Sequence, residues 1–134
     1  MSREDHKLFI ERMKKKEALV AVVGLGYVGL PLAKAFCEKG IRVIGLDIDN
    51  DKIQKIASGK SYIKHIPDED IASMRKEGLF EATNDFKLLG HVDAIIICVP
   101  TPLSKNREPN LVPVLETGRT VAKYLKKGQL VVLE

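Results

Sequence analysis

Three glycines stand in a Gly-x-Gly-x-x-Gly pattern within Val20-Ala21-Val22-Val23-Gly24-Leu25-Gly26-Tyr27-Val28-Gly29, and a carboxylate, Asp47, closes a second apolar run 18 positions later. The chemistry open to that arrangement is the binding of linked phosphates. A glycine-rich turn between a strand and a helix gathers unpaired backbone N–H groups at one point, and the helix dipole favours negative charge there. Gly24 allows a tight turn out of the strand, Gly26 lets the backbone approach a pyrophosphate, and Gly29 lets the following helix lie close to the sheet. The pattern alone is weak. After a β-branched run, at the opening of a helix and with an acid behind it, it points to a dinucleotide. A carboxylate at Asp47 accepts both hydroxyls of an adenosine ribose and repels a 2′-phosphate, which favours NAD over NADP. Lys52, five residues on, is a cation that could tolerate such a phosphate, but the carboxylate in direct contact carries more weight. The competing reading of Asp47 as a helix cap is weakened by Asp49 and Asn50, which cap the next helix better.

These residues need a strand, a turn, a helix and a second strand to position them. Val20 to Val23 is uninterruptedly apolar, as in a strand covered on both faces. Pro31 falls in the first helical turn, where its missing N–H costs no hydrogen bond. Leu30, Ala33 and Cys37 share one helical face, with Phe36 beside them. The pattern predicts strands at about 19–23, 41–47, 79–83, 94–99 and 130–133. It predicts helices at about 3–17, 28–39, 50–58, 68–77, 84–89 and 112–126, the last with Val114, Leu115, Val121, Ala122 and Leu125 as its apolar positions. Residues 61–67 and 103–111 read as loops. Alternation of strand and helix is the mark of an α/β protein with a doubly wound, Rossmann-like parallel sheet. One domain at 18–134, preceded by a charged helical segment at 1–17, accounts for the whole chain. Its last residue, Glu134, falls at the carboxyl end of a strand, where ligand-binding loops should follow, so the chain reads as part of a longer one.

With 134 residues, 45% hydrophobic and 30% charged, the composition is that of an ordinary globular domain. The apolar run from Ala18 to Ala33 is broken by three glycines and a proline, and it is shorter than the ~20 residues of a membrane span. No small-residue cleavage site ends it, so it is not a signal peptide, and a cytoplasmic location is expected. Cys37 and Cys98 have no metal-ligand spacing and read as small buried hydrophobes. The formal charge of +4 is carried partly by Lys14-Lys15-Lys16, most simply a solvated helix face. Four phenylalanines and three tyrosines, thinly spread, offer no stacking platform for nucleic acid.

Val23–Pro31, Gly45–Asp49 and Cys98-Val99-Pro100-Thr101-Pro102-Leu103 resemble the UDP-glucose/GDP-mannose dehydrogenase family. Ser61–Pro67 and Arg107–Leu111 are similar to its UDP-N-acetylglucosamine branch. The likeness runs from about residue 18 to the end and covers the family's N-terminal NAD-binding domain. It implies that the 24–29 loop cradles the NAD pyrophosphate, with Tyr27 and Val28 contributing backbone. It implies that Asp47 holds the ribose, that Lys52 contacts NAD, and that Thr101 lies near the nicotinamide. A threonine hydroxyl closing a turn between two prolines is the rival reading of Thr101. The family does not use the position of His65 as a base. By the same resemblance, the full-length protein oxidises the C6 alcohol of a UDP-N-acetylhexosamine to a uronate by two hydride transfers to NAD, for polysaccharide biosynthesis. A downstream cysteine in a Gly-rich motif traps the aldehyde, so this stretch alone is expected to bind cofactor without turnover. A homo-oligomer is expected of the full-length protein. A non-catalytic nucleotide-sensing domain of the same fold is the alternative. The Pro100–Leu103 loop and the Glu108–Leu111 segment, for which a sensor has no evident need, argue against it.

Overall fold

The computed structural model describes residues 3–134. Five strands, β1 (Leu19–Val23), β2 (Arg42–Leu46), β3 (Phe80–Thr83), β4 (Ala94–Ile97) and β5 (Leu130–Leu133), form one sheet in the order β3-β2-β1-β4-β5. Every pairing is parallel, with Val20 opposite Val43 and Ala94, and Val23 opposite Leu46 and Ile97. The helices are α1 (Arg3–Lys14), α2 (Gly29–Glu38), α3 (Asn50–Ala57), α4 (Asp68–Lys76) and α5 (Val112–Tyr124), with a 3-10 turn at Phe86–His91. This is the doubly wound sheet the alternation predicts. Its strand order reverses between β1 and β4, which opens a crevice at their carboxyl ends.

The apolar run of β1 serves both faces of the sheet. Val20 and Val22 pack with Leu30, Ala33 and Cys37 of α2 and with Ile71 and Met74 of α4. Ala21 and Val23 turn the other way, onto Leu89 and Val121. The helix stripe read from Leu30, Ala33 and Cys37 is therefore real. The stripe read on α5 is not: of its apolar positions only Val121 is buried, while Leu115 and Leu125 are exposed. β5 at the sheet edge is exposed along its whole length.

The first helix ends at Lys14 rather than near residue 17. Lys16 takes a left-handed conformation (φ 58°) and reverses the chain into β1, so Lys15 and Lys16 lie beyond the helix. A clamp holds this reversal against the amino-terminal edge of the sheet. Nε and Nη2 of Arg12 donate to the two carboxylate oxygens of Asp93 at 3.0 and 3.1 Å, and Nη2 also donates to the Glu17 carbonyl. Asp93 Oδ2 accepts the amide of Leu19, the first residue of β1, at 2.8 Å. Bidentate geometry with a shared backbone donor makes this pair worth more than an isolated surface ion pair. Asp93→Ala is expected to lower the unfolding free energy by about 2 kcal/mol, measured by urea denaturation.

Candidate functional site

Gly24 leaves β1 at φ +97°, and a Cβ there would come within 2.6 Å of the Cys98 carbonyl oxygen. Only glycine satisfies both demands. Gly29 is more constrained still: its Cβ would lie 1.6 Å from the Gly24 carbonyl oxygen, because α2 starts directly against the turn. Gly26 is the opposite case, with nothing within 4 Å of an added Cβ. Its backbone borders open space.

That space is a cleft of about 940 Å³ at the carboxyl ends of β1, β2 and β4. Gly24, Gly26, Tyr27 and Val28 line one side of it. Asp47, Lys52 and Thr101 also line it, as do Asp49, Glu116, Thr117, Thr120 and Glu134. Of the eight residues singled out from the sequence, seven face this cleft. Gly29 does not, and its role is to let α2 pack against the turn. Tyr27 and Val28 are exposed, and among the described residues no protein acceptor takes the amides of Gly26, Tyr27 or Val28. Three donors at a helix start, open to a cleft, form a ready anion cradle.

Asp47 is the one charged side chain that is buried among the described residues. A buried carboxylate needs partners, and it has them. Oδ2 accepts the Leu25 amide at 2.8 Å, Oδ1 accepts the Asp49 amide at 2.9 Å, and Lys52 Nζ lies 3.9 Å from Oδ2. Each oxygen keeps a further lone pair for a hydroxyl donor. The sequence reading made Asp47 a ligand contact; the structure adds that it ties the end of β2 to the glycine turn. Asp49 caps α3, its side chain accepting the Asp51 amide, which leaves Asp47 free of that task. Thr101 is exposed in the loop after β4, and its hydroxyl closes no turn among the described residues.

Two features escaped the sequence reading. The 61–67 segment is more than a loop, since Ile63 and Ile66 are buried in the core and the Tyr62 hydroxyl donates to the Leu25 carbonyl. The 103–111 loop is a small hairpin, with a bridge between Leu103 and Pro109. Cys98 borders the cleft, and burial, then Glu134, pushes its thiol up. Burial pushes the Cys37 thiol up to about 12, with Glu77 and Glu38 adding to it. Neither is poised as a thiolate nucleophile at neutral pH.

With this geometry in view, the comparisons with known proteins are specific. The model of the UDP-glucose/GDP-mannose dehydrogenase family, NAD binding domain, matches residues 18–134. The chain belongs to this family, as its NAD-binding domain. It is 43% identical over 118 residues to UDP-N-acetyl-D-mannosamine dehydrogenase of Campylobacter jejuni, covering 86% of this chain and 28% of that protein. It is 36% identical over 119 residues to UDP-N-acetyl-D-glucosamine 6-dehydrogenase of Pseudomonas aeruginosa, covering 89% and 27%. The crystal structure of a ternary complex of GDP-mannose dehydrogenase from Pseudomonas aeruginosa superposes with a TM-score of 0.80 at 31% identity, covering 85% of this chain and 27% of that one. The NAD-binding domain thus spans little more than a quarter of the length of the relatives it matches.

The steric contrast between the glycines is directly testable. Gly29→Ala must displace the Gly24 backbone and is expected to abolish cooperative thermal unfolding, whereas Gly26→Ala should melt within a few degrees of the parent chain. Both cysteines should react with a thiol reagent at pH 8 at least about tenfold more slowly than in urea-unfolded protein.

Proposed function

We propose that this domain holds NAD for an enzyme that oxidises the C6 alcohol of a UDP-N-acetylhexosamine to a uronate, acting in the cytoplasm. One observation carries the reading: a buried carboxylate at the end of β2 and three uncommitted amides at the start of α2 face the same cleft. The binding unit in this reading is residues 18–134, preceded by the charged segment 1–17.

The residues present fit the cofactor. The amides of Gly26, Tyr27 and Val28 bind the pyrophosphate, and Gly26 lets it approach because no side chain intervenes. The free lone pairs of Asp47 accept the ribose hydroxyls, and its charge excludes a 2′-phosphate. Lys52, beside Asp47, balances the local negative charge. Thr101, in the loop after β4, offers a hydroxyl to the far end of the cofactor. When bound, NAD supplies the hydride acceptor.

The names of the two UDP-sugar relatives cover two epimers of one N-acetylhexosamine, which supports that substrate class. The nucleophilic step belongs to residues outside this stretch, because Cys37 and Cys98 are buried and held as thiols. The 134-residue chain is therefore expected to bind NAD and to produce no NADH from a UDP-N-acetylhexosamine.

Calorimetric titration tests the reading. NAD is expected to bind at least about tenfold more tightly than NADP, a difference of about 1.4 kcal/mol. Asp47→Asn, which keeps an acceptor for the Leu25 amide and removes the charge, should shrink that ratio towards one. Equal affinities in the parent chain, or an unchanged ratio in the variant, would contradict the role given to Asp47.

A further inference from the structure

Leu25 is held from three sides. The Leu25 amide donates to Asp47 Oδ2 at 2.8 Å. The Leu25 side chain is fully buried, next to Gly45 and Phe80. The Leu25 carbonyl accepts the hydroxyl of Tyr62, which arrives from the connection between α3 and α4, 37 residues further along the chain. Tyr62 is half-buried and is not among the residues that line the cleft.

The geometry of the peptide unit gives this contact a consequence. No cis peptide bond occurs among the described residues. In a trans peptide the C=O and the N–H point in opposite directions. The Leu25 carbonyl and the Gly26 N–H belong to one plane, so anchoring the oxygen on the Tyr62 side aims the N–H the other way. The Gly26 amide has no protein acceptor among the described residues, and Gly26 borders the cleft. A hydrogen bond to a carbonyl also polarises its peptide and strengthens the N–H as a donor.

We propose that Tyr62 is a positioning residue that orients and strengthens the Gly26 N–H toward the pyrophosphate of the bound dinucleotide. The proposal rests on the reading of the 24–29 turn as the phosphate site. Other features of Tyr62 suit the role. Burial, and then the charges of Asp47 and Asp49, push its phenol up from its ordinary value, so it remains a donor through neutral and mildly alkaline pH. Lys52 Nζ stands 5.8 Å from the centre of its ring, which links the tyrosine to the cation beside Asp47.

The glycine turn needs this help because glycine is permissive. A Cβ added at Gly26 would meet nothing within 4 Å, so no side-chain packing restricts the turn there. Without a fixed carbonyl, the Leu25–Gly26 plane is free to rotate, and binding must then order it.

The test is Tyr62→Phe, which removes one oxygen and keeps the ring. Calorimetry measures NAD and NADP affinity for the parent chain and the variant, and thermal melts without ligand report the fold. The expected result is a rise in the NAD dissociation constant of about five- to tenfold. The thermal midpoint should stay within a few degrees. The NAD/NADP ratio should not change, because the pyrophosphate is common to both cofactors while Asp47 reads the ribose. Equal NAD affinity in variant and parent would overturn the role of Tyr62 and leave the phosphate site standing. Failure of the variant to fold would assign the hydroxyl to the fold and would also overturn it. Absence of NAD binding by the parent chain would instead remove the reading on which the proposal rests.

Discussion

The hydrogen bond from the Leu25 amide to the buried Asp47 carboxylate is the constraint on which the site depends. It joins the residue after Gly24 to the residue after β2, across the sheet pairing that sets Val23 against Leu46. Burial of a carboxylate is costly unless its oxygens are paired, and two amides and a lysine meet that need. In return, the carboxylate fixes where the glycine turn starts. The first amide after Gly24 is consumed by Asp47, and the next three are left for a ligand. In the proposed function, one side chain both shapes the cradle and selects the cofactor.

The second constraint is steric. Gly29 lies so close to the Gly24 carbonyl that it tolerates no Cβ, and Gly24 is closed off in the same way by the Cys98 backbone. The contact between Gly29 and Gly24 brings α2 down onto β1 and points its amino terminus at the crevice beside β4. Both apolar layers of the sheet then follow from β1, whose alternate residues pack against α2 and α4 on one side and against α5 and the 3-10 turn on the other. The strand that seeds the core is also the strand that delivers the site, so stability and binding share one origin in residues 19–29.

Much of this was legible in the sequence because it is local. β1 and β5 have the ends expected from their apolar runs, and α2, α3 and α4 fall within a residue of expectation because glycines and acids mark their ends. The three glycines and Asp47 were legible by spacing. What escaped is long-range. The end of α1 is set by a clamp to Asp93, 81 residues from Arg12, so no local pattern marks it. Tyr62 reaches Leu25 across 37 residues from a segment that has no periodicity. The apolar positions of α5 repeat at helical spacing, yet only Val121 is buried, packed in the layer of Val23, Leu89 and Ile95. The second task of Asp47, holding the turn, is invisible to spacing because an acid at that position looks the same whether it binds a ribose or an amide.

The central claim is that free amides at the start of α2 grip a diphosphate. The most direct measurement is a two-dimensional amide NMR titration of the chain with NAD. The account predicts that the Gly26, Tyr27 and Val28 resonances move downfield together, with the Leu25 amide, already bonded to Asp47, moving least among its neighbours. Saturable binding that leaves those three resonances in place and shifts others outside the cleft would contradict it.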